Sequence, residues 1–133
     1  MIEARKAAGL RIDAIFGIDQ QGTSAQALAF ALDHFDHVYV TREPNLTFHP
    51  KIYSFHGTTM ARVFVGSNNL TVGGTEINFE ATIRVDLTLP DEDDAFKPFG
   101  DAWMELLPTA CPATKKLNRT LLSELMRDGT VPD

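Results

Sequence analysis

The sequence predicts an α/β domain built on a mixed, largely parallel sheet flanked by helices, and three features point that way. A strand-like run, a helical stripe and a second strand-like run follow one another across residues 11–41. A clean alternation of apolar and polar residues follows in 79–87, and two helical patterns come after Pro90. Arg11-Ile12-Asp13-Ala14-Ile15-Phe16-Gly17 reads as the first strand. Gly22-Thr23-Ser24 then offers hydroxyl caps to a helix ending near Phe35, in which Ala25, Leu28, Ala29, Leu32 and Phe35 recur at three- and four-residue steps. His37-Val38-Tyr39-Val40-Thr41 is a second short strand, so strand, helix and strand make a right-handed parallel crossover.

The middle of the chain continues the sheet. Ile52 to Phe55 and Arg62-Val63-Phe64-Val65 read as neighbouring strands joined by the polar turn His56-Gly57-Thr58-Thr59. Glu80 to Leu89 reads as a longer strand in which Phe79, Ala81, Ile83, Val85 and Leu87 alternate with Glu80, Thr82, Arg84 and Asp86. Its glutamate therefore points away from its apolar face. Asp91-Glu92-Asp93-Asp94 suits the positive end of a helix dipole and opens a helix toward Pro108. A last helix is expected from Thr114 to Arg127, with Leu117, Leu121, Leu122 and Leu125 inside and Gly129 as its stop. Trp103 and Met104 read as core, and Lys115, Lys116 and Arg119 as a solvated helix face.

Composition narrows the function. The 133 residues, 44% of them hydrophobic, suit one domain with a real core, here a core across 12–87 and a helical cover across 91–128. Twelve basic against eighteen acidic residues leave a net charge of −6, unusual for a freestanding nucleic-acid binder, so any DNA contact must be local or assisted by a separate recognition domain or subunit. A lone cysteine, Cys111, excludes an internal disulfide and suits a reducing cytoplasm. No apolar run approaches the ~18 residues of a membrane span, and the N-terminus lacks a signal-peptide core. The chain is expected to be cytoplasmic and to need no membrane.

The chemistry concentrates in residues 49–80. In an extended run from 49 to 55 the period of two sends His49 and Lys51 to one side, an imidazole and an ammonium suited to one phosphate. Alone, H-x-K is a weak signal. Here Gly66-Ser67-Asn68-Asn69 follows, with Asn69 twenty residues after His49 and Glu80 eleven residues after Asn69. The set Phe48-His49-Pro50-Lys51, Val65-Gly66-Ser67-Asn68-Asn69-Leu70-Thr71, Gly73-Gly74 and Asn78-x-Glu80 resembles the HKD motif of the phospholipase D superfamily. It is most similar to the nuclease domain of metal-independent, phospholipase D-like restriction endonucleases. Gly17-Ile18-Asp19 and Gly22-Thr23-Ser24 extend the likeness across residues 12–87. The superfamily's aspartate, six residues after the lysine, falls at Gly57, a departure that the restriction-nuclease branch shares.

The resemblance implies an α/β/α sandwich and a catalytic set of His49, Lys51, Asn69 and Glu80, with Lys51, Ser67 and Asn69 binding the phosphate and neither metal nor other cofactor. His49 would attack phosphorus to give a phosphohistidine, Lys51 would neutralise the nonbridging oxygens, and Glu80 would fix the imidazole tautomer. A second histidine is needed to protonate the leaving oxygen. With one motif copy in the chain, a homodimer is expected to supply it. The family also begins with a further strand and helix, whereas ten residues precede Arg11, so a truncated or remodelled domain with an open sheet edge is expected. DNA is the expected substrate. The alternatives are a noncatalytic module that binds nucleic acid or a protein partner, and a lipid or small-molecule phosphodiesterase.

Overall fold

The computed structural model describes residues 9–69, 76 and 79–133. Among these described residues, six strands and three helices of at least nine residues follow in the order β1 (Asp13–Gly17), α1 (Ala25–His34), β2 (His37–Thr41), β3 (Ile52–His56), β4 (Met60–Gly66), β5 (Thr82–Thr88), α2 (Asp93–Glu105), β6 (Thr114–Lys116) and α3 (Arg119–Arg127). They divide into two compact units: residues 1–49 with 105–133, and residues 50–104. Among the described residues no helix is long and apolar enough to cross a membrane.

In the first unit the expected crossover is present. β1 pairs parallel to β2 with Ile15 opposite Tyr39. Between them α1 starts where Ser24 Oγ accepts from the Ala27 amide at 3.3 Å. Its buried stripe is Ala25, Leu28 and Ala31, with Ala29, Leu32 and Phe35 packed at the margin. The stripe meets Val38 and Val40 of β2, together with Ile18, Leu117, Leu122 and Val131. Asp36 helps to hold the strand end, its carboxylate accepting from the Ile12 amide at 2.8 Å.

The expectation for the last helix needs correcting. The helix expected from Thr114 begins only at Arg119, because Asn118 turns its side chain to accept from the Leu121 amide at 2.8 Å and acts as the N-cap. Residues Thr114–Lys116 instead form β6, antiparallel to β2, with Thr114 opposite Thr41 and both buried. Lys115 and Lys116 therefore sit on a strand rather than a helix face. Leu117 reaches the core from the connector, its amide donating to the Val38 carbonyl at 2.8 Å.

The second correction concerns the sheet. The class is mixed α/β, but the expected largely parallel sheet is not found: the described strands form two three-stranded sheets, β1-β2-β6 and β3-β4-β5, and their pairings apart from β1–β2 are antiparallel. The connections explain this. Three residues link β3 to β4, too few for anything but a hairpin, and Gly57 closes it by donating to the Met60 carbonyl at 2.9 Å.

The second unit is built on β3-β4-β5, with β4 in the middle. Ala61, Val63 and Leu87 are buried on one face. On that side the His56 ring lies 5.4 Å from Phe96 of α2. Trp103 of α2 is half-buried, whereas Met104 is exposed rather than core.

Leu28 is fully buried at the centre of the first unit. Leu28→Ala should cost about 2–5 kcal/mol in urea unfolding, while Gln26→Ala on the exposed side of α1 should stay within about 0.5 kcal/mol of wild type.

Candidate functional site

The expected site residues of the second unit gather at one end of β3-β4-β5. Because the three strands alternate in direction, the residue before β3, the turn after β4 and the residues before β5 meet there. These are Lys51, Ser67-Asn68-Asn69 and Glu80. His49 stands two residues before Lys51 and is the last residue of the first unit.

The strand read at Ile52 to Phe55 is present as Ile52–His56, and the run from His49 to Lys51 leads into it without joining it. Pro50 has no N–H to give a ladder, which accounts for this. Pairing still reaches one residue further back, because the Gly66 amide donates to the Lys51 carbonyl at 3.2 Å. Continuing the pleat puts Lys51 on the side of Tyr53. His56 falls on the opposite side, as its spacing predicts. Likewise β5 begins at Thr82 and not at Glu80, although Ile83, Val85 and Leu87 alternate with Arg84 and Asp86 as expected.

Gly66 decides how close these segments come. It pairs with Thr82 of β5 on one side and bonds to Lys51 on the other. A Cβ at this position would stand 2.6 Å from Thr82 Oγ1 and 2.7 Å from Thr82 Cα, and would collide with the Ala81 carbonyl. Only a glycine lets β4 run this close to β5. The approach lets Ser67 reach across: its amide donates to the Ala81 carbonyl at 3.0 Å, and its hydroxyl oxygen accepts from the Ala81 amide at 3.1 Å. The Ser67 hydroxyl donates in turn to Glu80. Ser67 thus fastens the turn to the start of β5 with both of its donors.

Asn68 is held from two sides. Thr82 donates its hydroxyl to the Asn68 side chain, and Tyr53 donates to the Asn68 carbonyl at 2.8 Å. Tyr53 and Thr82, neither of them singled out from the sequence, are latches on this turn. The signal for both was available in the register, since Tyr53 shares its face with Lys51 and Thr82 stands opposite Gly66. Beyond the latched Asn68, Asn69 is exposed and Glu80 half-buried. Gly73, Gly74 and Asn78 lie outside the described residues.

In the first unit, the backbone leading to His49 is tied down. The Phe48 amide donates to Asp19 at 3.3 Å. Gly17 comes so near Phe48 that a Cβ there would stand 3.0 Å from the Phe48 carbonyl oxygen. Gly17 and Asp19, two residues of the motif likeness, therefore fix the approach to an exposed His49. No protein-family model and no curated protein matches this chain.

The geometry provides a lysine, a hydroxyl and amide turn and a carboxylate at one sheet end, the donor and acceptor types that a phosphate ester requires. Gly66→Ala should destabilise the protein by roughly 1–3 kcal/mol in denaturant unfolding, as overpacking does. Gly57→Ala, where an added Cβ meets nothing within 4 Å, should be close to neutral.

Proposed function

We propose that the chain is a metal-independent phosphodiesterase of the phospholipase D-like type, a nuclease domain that cleaves DNA through His49, Lys51, Asn69 and Glu80. The observation that carries this reading is the meeting of Lys51, the Ser67–Asn69 turn and Glu80 around Gly66, with His49 two residues before Lys51 in the chain. The motif order and spacing add to it.

In this reading the neutral His49 imidazole attacks phosphorus in line, a P–N bond forms and the P–O bond to the leaving oxygen breaks. Lys51 and Asn69 stabilise the nonbridging oxygens. Glu80 accepts a hydrogen bond from the second ring nitrogen of His49 and holds the imidazole in the attacking tautomer. Its carboxylate has lone pairs enough to do this beside its bond from Ser67. When a phosphate arrives, the Ser67 hydroxyl turns its hydrogen from Glu80 to the phosphate, and the carboxylate is left to His49.

The leaving oxygen takes its proton from His49 of the partner subunit in a homodimer. That imidazole then removes a proton from the water that attacks the phosphohistidine, and His49 is released. Because a histidine supplies the nucleophile and a lysine the positive charge, no step calls for a metal ion.

A chromogenic diester, bis(p-nitrophenyl) phosphate, tests the reading without requiring DNA recognition. Hydrolysis should survive excess EDTA and fall by roughly a thousandfold or more in His49→Ala, with sedimentation showing a dimer in both proteins. Turnover only with added metal, or equal turnover in both proteins, would sink the mechanism.

A further inference from the structure

The face of β3-β4-β5 opposite Ala61 and Val63 carries an arrangement that the phosphodiesterase chemistry does not use. Across the three strands, Tyr53, Phe64 and Arg84 form one paired row, and Phe55, Arg62 and Asp86 form the next. All six project to the same side, by the period of two. Such a face would ordinarily be polar on a half-buried antiparallel sheet. Here three of the six are aromatic, and Phe55 is 60% exposed. Phe55 meets Phe64 edge to face, with centroids 6.1 Å apart and planes at 88°, so the ring faces are not stacked on each other.

The charge on this face has the sign opposite to the whole chain. Arg62 Nε lies 2.6 Å from Asp86, and Arg84 is paired to the same carboxylate. Two guanidinium groups thus share one carboxylate, which leaves a local positive charge in a protein of net −6. Their hydrogen bonds, that from Arg84 first, hold the Asp86 carboxyl well below the usual carboxylate range, so the trio keeps its charges at neutral pH. The row containing Tyr53 also leads directly to the turn at Asn68, through the Tyr53 hydroxyl.

We propose that this open face binds single-stranded nucleic acid, with bases stacking on Phe55 and Phe64 and phosphates meeting Arg62 and Arg84. Ring faces are available only from unpaired bases, whereas in a duplex they are covered by stacking, so the aromatic component selects a single strand. The guanidiniums complement the phosphates and require no base sequence. The inference deepens the phosphodiesterase reading by assigning its substrate a strandedness, and it rests on that reading for function but not for binding.

Fluorescence anisotropy of a labelled oligothymidylate in EDTA tests it with the full chain carrying His49→Ala, so that no turnover intervenes. The single strand should bind more tightly than a duplex of equal length. Phe55→Ala should weaken binding about 5- to 150-fold, the loss expected for one stacked base, and Phe55→Tyr should restore it. Arg62→Gln should make the dependence of log affinity on log salt shallower by about 0.7. An oligouridylate distinguishes RNA from DNA as the tighter ligand. No binding, preference for the duplex, or unchanged binding in Phe55→Ala with an unchanged circular dichroism spectrum would overturn the proposal. Diester hydrolysis by the wild type decides the phosphodiesterase reading separately: hydrolysis without oligonucleotide binding would leave that reading standing and remove this one.

Discussion

The close approach of β4 to β5 at Gly66 is the constraint on which the candidate site depends. Three backbone segments converge on this residue, through the Lys51 carbonyl on one side and Thr82 on the other, with Ser67 bonded across to Ala81 and Glu80. A side chain at 66 would collide with the neighbouring strand. The lysine, the turn and the carboxylate would then lose the geometry that makes them a set. Around this point the fold spends ordinary polar groups on fastening: Tyr53 and Thr82 hold Asn68, and Ser67 holds the start of β5. Asn69 follows the latched Asn68 and is exposed, while in the first unit the exposed His49 follows Phe48, whose amide donates to Asp19.

Much of the fold was legible in local pattern. The α1 stripe, its Ser24 cap, the β1–β2 crossover and the β3–β4 hairpin follow from periodicity and turn chemistry, which act over a few residues. The errors came where two local signals competed. Thr114-Lys115-Lys116 fitted a helical spacing of leucines, but Asn118 is a better cap than helix interior, and the residues before it were left to pair with β2. Overall sheet direction was not legible, because it depends on which strands pair at long range. One recognisable crossover does not determine the other pairings.

The candidate site divides similarly. The spacing of Lys51, the Gly66–Asn69 turn and Glu80 identified residues that the sheet does bring to one end. The fastening role of Ser67 was invisible, because its partners lie thirteen and fourteen residues ahead and are set by strand register. The aromatic and basic rows on the open face were hidden for the same reason. In the chain, Tyr53 and Phe55, Arg62 and Phe64, and Arg84 and Asp86 are three separate pairs, and only register turns them into two continuous rows. The net charge of −6 describes the molecule as a whole and conceals a face whose local charge is positive.

The central claim is that His49 is the nucleophile, and the covalent intermediate tests it most directly. Bis(p-nitrophenyl) phosphate loses p-nitrophenolate without help from an acid, so acyl-like accumulation of the phosphorylated enzyme can be caught by rapid base quench and peptide mass spectrometry. The account predicts a base-stable, acid-labile p-nitrophenyl phosphoryl adduct on the peptide containing His49. Turnover with no adduct, or with an adduct on another residue, would contradict it.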